Sequence, residues 1–328
     1  MRIFRTLDEV PPDFGPSALT IGNFDGVHAG HRRILRRVKE VAVARGFKAS
    51  ALTFNPHPSK VVAPARAPRL MSTPEQRSAL MQEEGIEQVL IMPFDRHVAH
   101  LSPEQFVAQV LVRKLGVRAV VLGHDFCFGY KQSGNVRVLE QLGHKYGFTT
   151  EEVKAVTVRG RLVSSTALRQ LIEAGRVAQA ARMLERPYAL EGEVVPGRGV
   201  GSKHTVPTLN LAANTEVLPA TGVYVTRTHH IDGDRVWPSV TNVGYRPTFG
   251  DGRELSIETF LLEPLAEAPR RIRVEFLWRV RDERQFPDAQ ALKQQILRDA
   301  GVAQAYFRRL QKWTCRSDSP VNARRNVS

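Results

Sequence analysis

Cysteine is scarce in this chain. Two residues, Cys127 and Cys315, among 328 exclude a disulfide framework and a four-cysteine zinc site. Long apolar runs are missing as well: no stretch approaches the ~18 residues of a membrane span. The opening MRIFRTLDEVPPDF lacks the apolar core of a secretory signal. A reduced, cytoplasmic setting without membrane attachment is therefore expected. Neither a Walker A loop nor a G-x-G-x-x-G fingerprint is present, which argues against P-loop and dinucleotide-binding readings. Negative charge is in deficit, with 33 acidic against 47 basic residues and a net charge of +14. Such a surface attracts anions, either nucleic acid or phosphorylated small molecules. The basic residues are spread through RRILRRVK, RRIRVEFLWRVR and the tail, without aromatic interleaving or a recognisable binding module, so no nucleic-acid partner is expected.

What the chain does contain is material for about two domains, and the pattern divides near residue 185. Before that point strand-like and helix-like segments alternate. SALTIGNF (17–24), KASALTF (48–54), QVLIMPF (88–94) and RAVVLG (118–123) are short apolar strands. In HRRILRRVKEVAVARG the residues Ile34, Leu35, Val38, Val41 and Ala42 recur at helical spacing, and Gly46 ends the run. Thr73-Pro74-Glu75-Gln76 and Ser102-Pro103-Glu104-Gln105 each carry a helix start, with a capping hydroxyl, proline at the first position and glutamine three after the cap. Alternation of this kind predicts a Rossmann-like parallel sheet covered by helices on both faces, over residues 1–185. STALRQLIEAG and VAQAARMLE close that half. From 186 to 310 come YALEGEVV, GVYVTRTHHI, VWPSVTNVG, LSIETFLL and RIRVEFLWRV, with an Asp232-Gly233 hairpin turn between the second and third. Closely spaced strands without intervening helices predict a small antiparallel β-barrel or a sandwich, followed by one helix near 288–310. The polar, basic tail 311–328 is expected to be disordered.

The densest segment is Gly22-Asn23-Phe24-Asp25-Gly26-Val27-His28-Ala29-Gly30-His31. It lies where the first main strand gives way to the first helix, the place where open parallel sheets bind ligands. Helix-terminal N–H groups there favour phosphate, and histidines three apart on the first helical turn are placed to donate to phosphate oxygens. A metal pair and plain surface histidines are the alternatives, though no third metal ligand stands at a recognisable spacing. Ser164, Ser165 and Thr166 are natural N-caps with Arg169 one turn on, either simple capping or an anion cradle. In the second half, Thr208 and Asn210 are hard oxygen donors suited to magnesium, or ordinary turn residues. Glu258 stands in an alternating strand, where periodicity alone makes it a solvent-facing residue.

The first motif resembles the H-x-G-H signature of nucleotidylyltransferases in the form used by bacterial FAD synthetases. TFNPHP (53–58), GHDFCFG (123–129) and VSSTALR (163–169) follow in that family's order. The second half resembles riboflavin kinase through PTLN (207–210), GVYV (222–225), NVGYRPTFG (242–250) and SIETFLL (256–262). Over residues 15–310 the chain is thus similar to the bifunctional riboflavin kinase/FMN adenylyltransferases of bacteria. The resemblance implies that riboflavin and ATP give FMN, and that FMN and ATP give FAD and pyrophosphate, with Mg2+ as cofactor and only small molecules as partners. It implies a monomer or weak homo-oligomer. In the adenylyltransferase half it assigns ATP and phosphate contacts to Gly22, Asn23, Phe24, Asp25, His28, His31, Asp125, Ser164, Ser165, Thr166 and Arg169, with His28 and His31 catalytic and Asp25 organising magnesium or adenosine. It places Asn55, His57, Phe126 and Phe128 toward the flavin. In the kinase half it makes Glu258 the catalytic base and Thr208 and Asn210 the metal ligands, and it puts Gly197, Gly199, Gly201, Lys203, Pro207 and Thr208 around ATP. Two departures accompany the match. Cys127 and Gln132 stand where basic residues are common, and Thr205-Val206 where a glycine and an aromatic precede the Pro-Thr pair. A single surviving activity, or a nucleotidylyltransferase acting on a sugar or lipid phosphate, are the alternative readings.

Overall fold

The computed structural model describes residues 1–196, 208–247, 253–265 and 267–317. Two compact units emerge. The first comprises Met1–Arg169 with Met183–Glu185, and the second Gln170–Arg182 with the chain from Arg186 onward.

The first unit is a parallel sheet of six strands: β1 (Arg2–Phe4), β2 (Ser17–Ile21), β3 (Lys48–Asn55), β4 (Gln88–Pro93), β5 (Val117–Gly123) and β6 (Thr149–Val153), in the spatial order β1-β4-β3-β2-β5-β6. Its four inner strands, β2 to β5, are largely apolar and buried because both faces are covered, whereas the edge strands β1 and β6 are mostly exposed or half-buried. Leu19, Leu52, Leu90 and Val120 point to one face, and their neighbours Ala18, Ala51, Val89 and Val121 to the other. The second face receives α1 (Ala29–Arg45) through Leu35, Val38 and Ala42. Gly46 ends α1 in the left-handed conformation at φ 67°, its N–H returning to the Ala42 carbonyl. The capping box expected at Thr73 and Gln76 opens α2 (Pro74–Glu83). The one expected at Ser102 and Gln105 opens Pro103–Phe106, which continues as a π-helix over Val107–Lys114. The sequence pattern does not separate the α from the π winding, since either can bury Val107, Val110 and Leu111 against the sheet. Strand order reverses at β2: the chain moves from β2 through β3 to β4, then crosses back to β5 on the other side. In open parallel sheets, ligands bind at such a switch point, here the carboxyl ends of β2 and β5.

The second unit is a closed six-stranded antiparallel barrel. Its strands are β7 (Tyr188–Val195), β8 (Thr208–Ala213), β9 (Gly222–His230), β10 (Val236–Pro247), β11 (Arg253–Leu261) and β12 (Arg271–Arg281), ordered β7-β8-β11-β10-β9-β12. Asp232 and Gly233 lie between the paired strands β9 and β10, as the hairpin signal predicts. Alternation sends Leu209, Leu211, Tyr224, Val243, Ile257 and Phe276 inward. Five hydroxyl residues also point inward, fully buried, and satisfy one another: Thr226 bonds Ser239 at 2.9 Å and Thr241 at 2.8 Å, Thr228 bonds Ser239 at 2.8 Å, and Thr241 bonds Thr259 at 2.9 Å. On the outer face Val223, Val225, Val240 and Leu277 pack against Ala303, Tyr306 and Phe307 of the terminal helix, Ala289–Ser317. This helix runs seven residues beyond Leu310, the end assigned from sequence. No glycine or proline falls between Gly301 and Pro320, so nothing in the chain stops the helix at Leu310. Residues 318–328 lie outside the described residues.

Candidate active sites

The segment 22–31 occupies the carboxyl end of β2, at the switch point. The Gly22 N–H donates to the Leu52 carbonyl at 3.1 Å, which ties the start of the turn to β3. Phe24 and Val27 then adopt positive φ, 49° and 38°, a conformation that costs a non-glycine residue about 1–3 kcal/mol. Such strain persists only if neighbouring structure holds it, and here it does. Asp25 is 2% exposed. Its carboxylate accepts from the Met71 N–H (3.0 Å), the Ser72 N–H (3.1 Å), the Ser72 hydroxyl (3.1 Å) and the Arg169 Nη2 (2.7 Å). Ser72 Oγ accepts in turn from the Gly26 N–H at 2.9 Å, and the Ser165 hydroxyl donates to the Asp25 carbonyl at 3.2 Å. The expectation that Asp25 organises magnesium or adenosine is therefore replaced. Four donors use its oxygens, and it acts as the anchor of the turn.

His28 is the N-cap of α1. Its Nδ1 accepts from the His31 N–H at 3.3 Å, and the two imidazoles stack with centroids 3.6 Å apart and planes 12° from parallel. Because Nδ1 accepts, the neutral His28 ring carries its proton on Nε2, a donor of the kind a phosphate oxygen needs. Phe24 is buried and meets His31 edge-on at 5.1 Å, so it shapes the site from below. Ser164 caps the helix α3 (Ser165–Glu173) by accepting from the Ala167 N–H, while Thr166 is exposed. Arg169 spends Nε on the Arg69 carbonyl and Nη2 on Asp25, which makes it part of the turn's support as well as a neighbouring positive charge.

Asn55 is exposed at the end of β3. His57, buried two residues later, accepts from the Ser59 N–H at 3.2 Å. Burial pushes its pKa below the ordinary imidazole value, aided by Arg169, Arg77 and Lys60 and opposed by Asp25. Beyond β5, Asp125 and Cys127 are exposed, and Phe126 stacks on Phe128 at 5.4 Å. Phe128 itself is sunk in the core beside Phe106, so of the two rings Phe126 has the accessible face.

In the second unit the site is made by strand register. Asn210 of β8 pairs with Glu258 of β11, which pairs with Asn242 of β10. Residues paired across antiparallel strands share a face with Cβ atoms about 4.5–5.5 Å apart. Glu258 thus stands between two amides on the outer face of the barrel. Ser256 Oγ also reaches its Oε1 at 3.5 Å. Thr208, two residues before Asn210, lies on the same face and is exposed, while Asn210 is buried. The expectations for Gly197, Gly199, Gly201, Lys203, Thr205, Val206 and Pro207 fall outside the described residues. Among the described residues no group of three or more His, Cys, Asp or Glu side chains is gathered as a metal site. Magnesium held between substrate phosphates and two neutral oxygens does not need one, so Thr208 and Asn210 fit that ion. Sequence reasoning assigned no role to Asn242, the first residue of the NVGYRPTFG motif, which strand register sets beside Glu258. It also missed Met71, which acts through a backbone N–H that carries no side-chain signature, and Ser72, whose N–H and hydroxyl both reach Asp25 from 47 residues away.

A strained turn at the switch point of a parallel sheet, and a carboxylate flanked by amides on a closed barrel, are the two candidate sites, and such a pairing of units fits a two-domain transferase. The sequence model of the FAD synthetase family matches residues 11–167, and that of riboflavin kinase matches residues 184–307. The bifunctional riboflavin kinase/FMN adenylyltransferase of Pseudomonas fluorescens is 35% identical over 93% of this chain and 97% of its own length. The Escherichia coli K12 enzyme of the same name is 34% identical over 94% and 97%. A crystal structure of a macrolide-efflux protein from Streptococcus pneumoniae superimposes with a TM-score of 0.80 at 25% identity, covering 92% of this chain and 98% of that one. No helix among the described residues is long and apolar enough to cross a membrane. The chain belongs to the bifunctional riboflavin kinase/FMN adenylyltransferase family. It converts riboflavin to FMN and FMN to FAD, with ATP as the second substrate of each step.

Proposed function

We propose that the turn 22–31 is the ATP phosphate site of adenylyl transfer and that Glu258 is the base of riboflavin phosphorylation. The first assignment is carried by one observation: His28 caps α1 beside a strained turn at the sheet's switch point. In adenylyl transfer an FMN phosphate oxygen attacks the α-phosphorus of ATP, and the bond to the bridging oxygen breaks as pyrophosphate leaves. The nucleophile is already anionic, so no base is needed and the chain's work is positioning and charge neutralisation. His28, His31 and the N-terminus of α1 supply donors to the phosphates. Ser164, Ser165 and Thr166 close the other side. Asp125 faces the nucleotide, and Asn55, His57 and Phe126 the flavin.

In the barrel the riboflavin hydroxyl attacks the γ-phosphorus, ADP departs, and the hydroxyl proton passes to the Glu258 carboxylate. Thr208 and Asn210 are the side chains that would hold Mg2+, which neutralises ATP phosphate charge when bound. The assignment leaves the enzyme a small-molecule catalyst of the cytoplasm, a monomer or weak homo-oligomer. The test is a flavin product assay on His28→Ala. FAD formation from supplied FMN should fall about 10- to 100-fold, the worth of one charge-assisted phosphate contact, while FMN formation continues at the parent rate. Unchanged FAD formation would end the phosphate-site assignment.

A further inference from the structure

Among the described residues Arg77 is the largest fully buried side chain, 1% exposed, and no motif or expectation above accounts for it. It sits in the first turn of α2, its own N–H on the Thr73 carbonyl at 3.0 Å. Its Nη1 donates to the Asn23 carbonyl at 2.5 Å and lies 3.3 Å from Thr53 Oγ1, whose hydroxyl also donates to the Asn23 carbonyl at 3.2 Å. The segment 71–77 therefore grips the phosphate turn twice. Met71 and Ser72 hold the Asp25 carboxylate, and Arg77 holds the Asn23 carbonyl two residues earlier.

The electrostatics are unusual. Among the described residues Arg77 has no carboxylate within ion-pair distance, and its Nε, fully buried, has no hydrogen-bond partner. Burial works against its charge, with Asp25 and Glu75 acting the other way through space. Asp25 already pairs directly with Arg169. One carboxylate, paired with Arg169 and acting on Arg77 only through space, thus answers two guanidinium groups, a net positive centre in a buried place. A buried cation whose contacts are neutral oxygens and not a carboxylate is costly to desolvate, and an apolar side chain of similar size would fill the volume without that cost. The missing counter-charge has an obvious source if the turn above receives the phosphates of ATP.

We propose that Arg77 is a positioning residue for FMN adenylylation, holding the turn that presents His28 through the Asn23 carbonyl and supplying a fixed positive charge beneath the ATP phosphates. The inference rests on the phosphate-site reading of that turn. Its two components separate kinetically. The grip on the Asn23 carbonyl sets the geometry of the reacting groups and appears in kcat, whereas the charge attracts ATP in the ground state and appears in KM.

Arg77→Lys keeps the charge and loses the fork, so its kcat for FAD formation should fall about tenfold with KM for ATP unchanged. Arg77→Met keeps the volume and loses both, so kcat should fall similarly and KM for ATP should rise about tenfold. Riboflavin phosphorylation by the same full-length variants should stay at the parent rate. A merely structural residue would give losses that track the folded fraction, by circular dichroism, with KM at the parent value in both variants. That pattern, or a folded Arg77→Met with parent constants, overturns the proposal. If Arg77→Met does not fold, Arg77→Lys decides: a parent kcat refutes the proposal and a tenfold fall at constant KM upholds it. The phosphate-site reading fails separately, on His28→Ala.

Discussion

In the sheet unit the site is a turn whose shape is imposed from far along the chain: Asp25 is held by Ser72, 47 residues on, and by Arg169, 144 residues on. In the barrel unit the site is a row of side chains, Asn210, Glu258 and Asn242, whose alignment is the strand register itself. The first plan places backbone N–H groups and fixed charge at the turn we propose as the ATP phosphate site, which suits a reaction that needs positioning and no base. The second presents one carboxylate on a stiff surface, which suits a reaction that must remove a proton. Its cost lies elsewhere, in a closed interior with five buried hydroxyls that must satisfy one another. The two units therefore should fail differently when broken.

The largest separation should come from Glu258→Gln, which keeps size and hydrogen bonding and removes the base. FMN formation should fall on the order of 10²–10⁴-fold, while FAD formation from supplied FMN continues and thermal stability stays within about 0.5 kcal/mol. Parent-rate phosphorylation of riboflavin would reduce Glu258 to a strand residue. Next is the anchor of the turn. Asp25→Ala leaves the Arg169 guanidinium without its counter-charge and the Met71 and Ser72 amides without an acceptor. Breaking a buried pair of this kind costs about 3–5 kcal/mol. Urea unfolding should show that loss in the sheet unit, with FAD formation lost and riboflavin phosphorylation kept. A single shared loss across both units would erase the contrast drawn above.

Smaller, and confined to the barrel, is Thr241→Val. The shape is kept, but the Thr226 and Thr259 hydroxyls lose a partner in a dry interior, worth about 1–3 kcal/mol. The urea midpoint of the barrel should drop and that of the sheet unit should not. The smallest effect is a difference in acid sensitivity. Burial holds the folded His57 pKa below the ordinary value, with Arg169, Arg77 and Lys60 adding and Asp25 opposing. Below the ordinary value, about 6.5, the unfolded chain takes up a proton that the folded state resists, so this group erodes stability as pH falls and contributes nothing at neutral pH. Glu275 in the barrel behaves otherwise. Burial raises its pKa, but His229, Arg273 and Arg227 outweigh that and hold it below the usual 4.5. Its contribution is present above that value and is lost only as pH falls through the lowered pKa. His57→Asn, which can still cap Pro58–Val62, should therefore flatten the fall in the sheet unit's urea midpoint between about pH 7 and pH 5 and leave the barrel's unchanged. An unflattened slope would show that other groups dominate the acid response of the sheet.

Periodicity and start signals in the sequence determined the element types. Apolar runs between capping boxes at Thr73 and Ser102 required strands and helices in alternation, and β-branched segments after residue 186 required antiparallel pairing. These are local properties, carried by residues within a turn or a strand of one another. The motif 22–31 and the resemblance it carries were legible for the same reason, since its histidines are neighbours in sequence. Tertiary structure alone decided that Asp25 is an anchor, that Phe128 belongs to the core, that α and π winding meet at Phe106, and that Asn242 stands beside Glu258. The contacts that decide Asn242, Phe128 and Asp25 join residues 16, 22 and 144 positions apart. The same holds for Arg77, one arginine among many in a basic chain, which is set apart only by burial beneath a strained turn: solvation and charge pairing are properties of the folded interior, and no spacing along the chain encodes them.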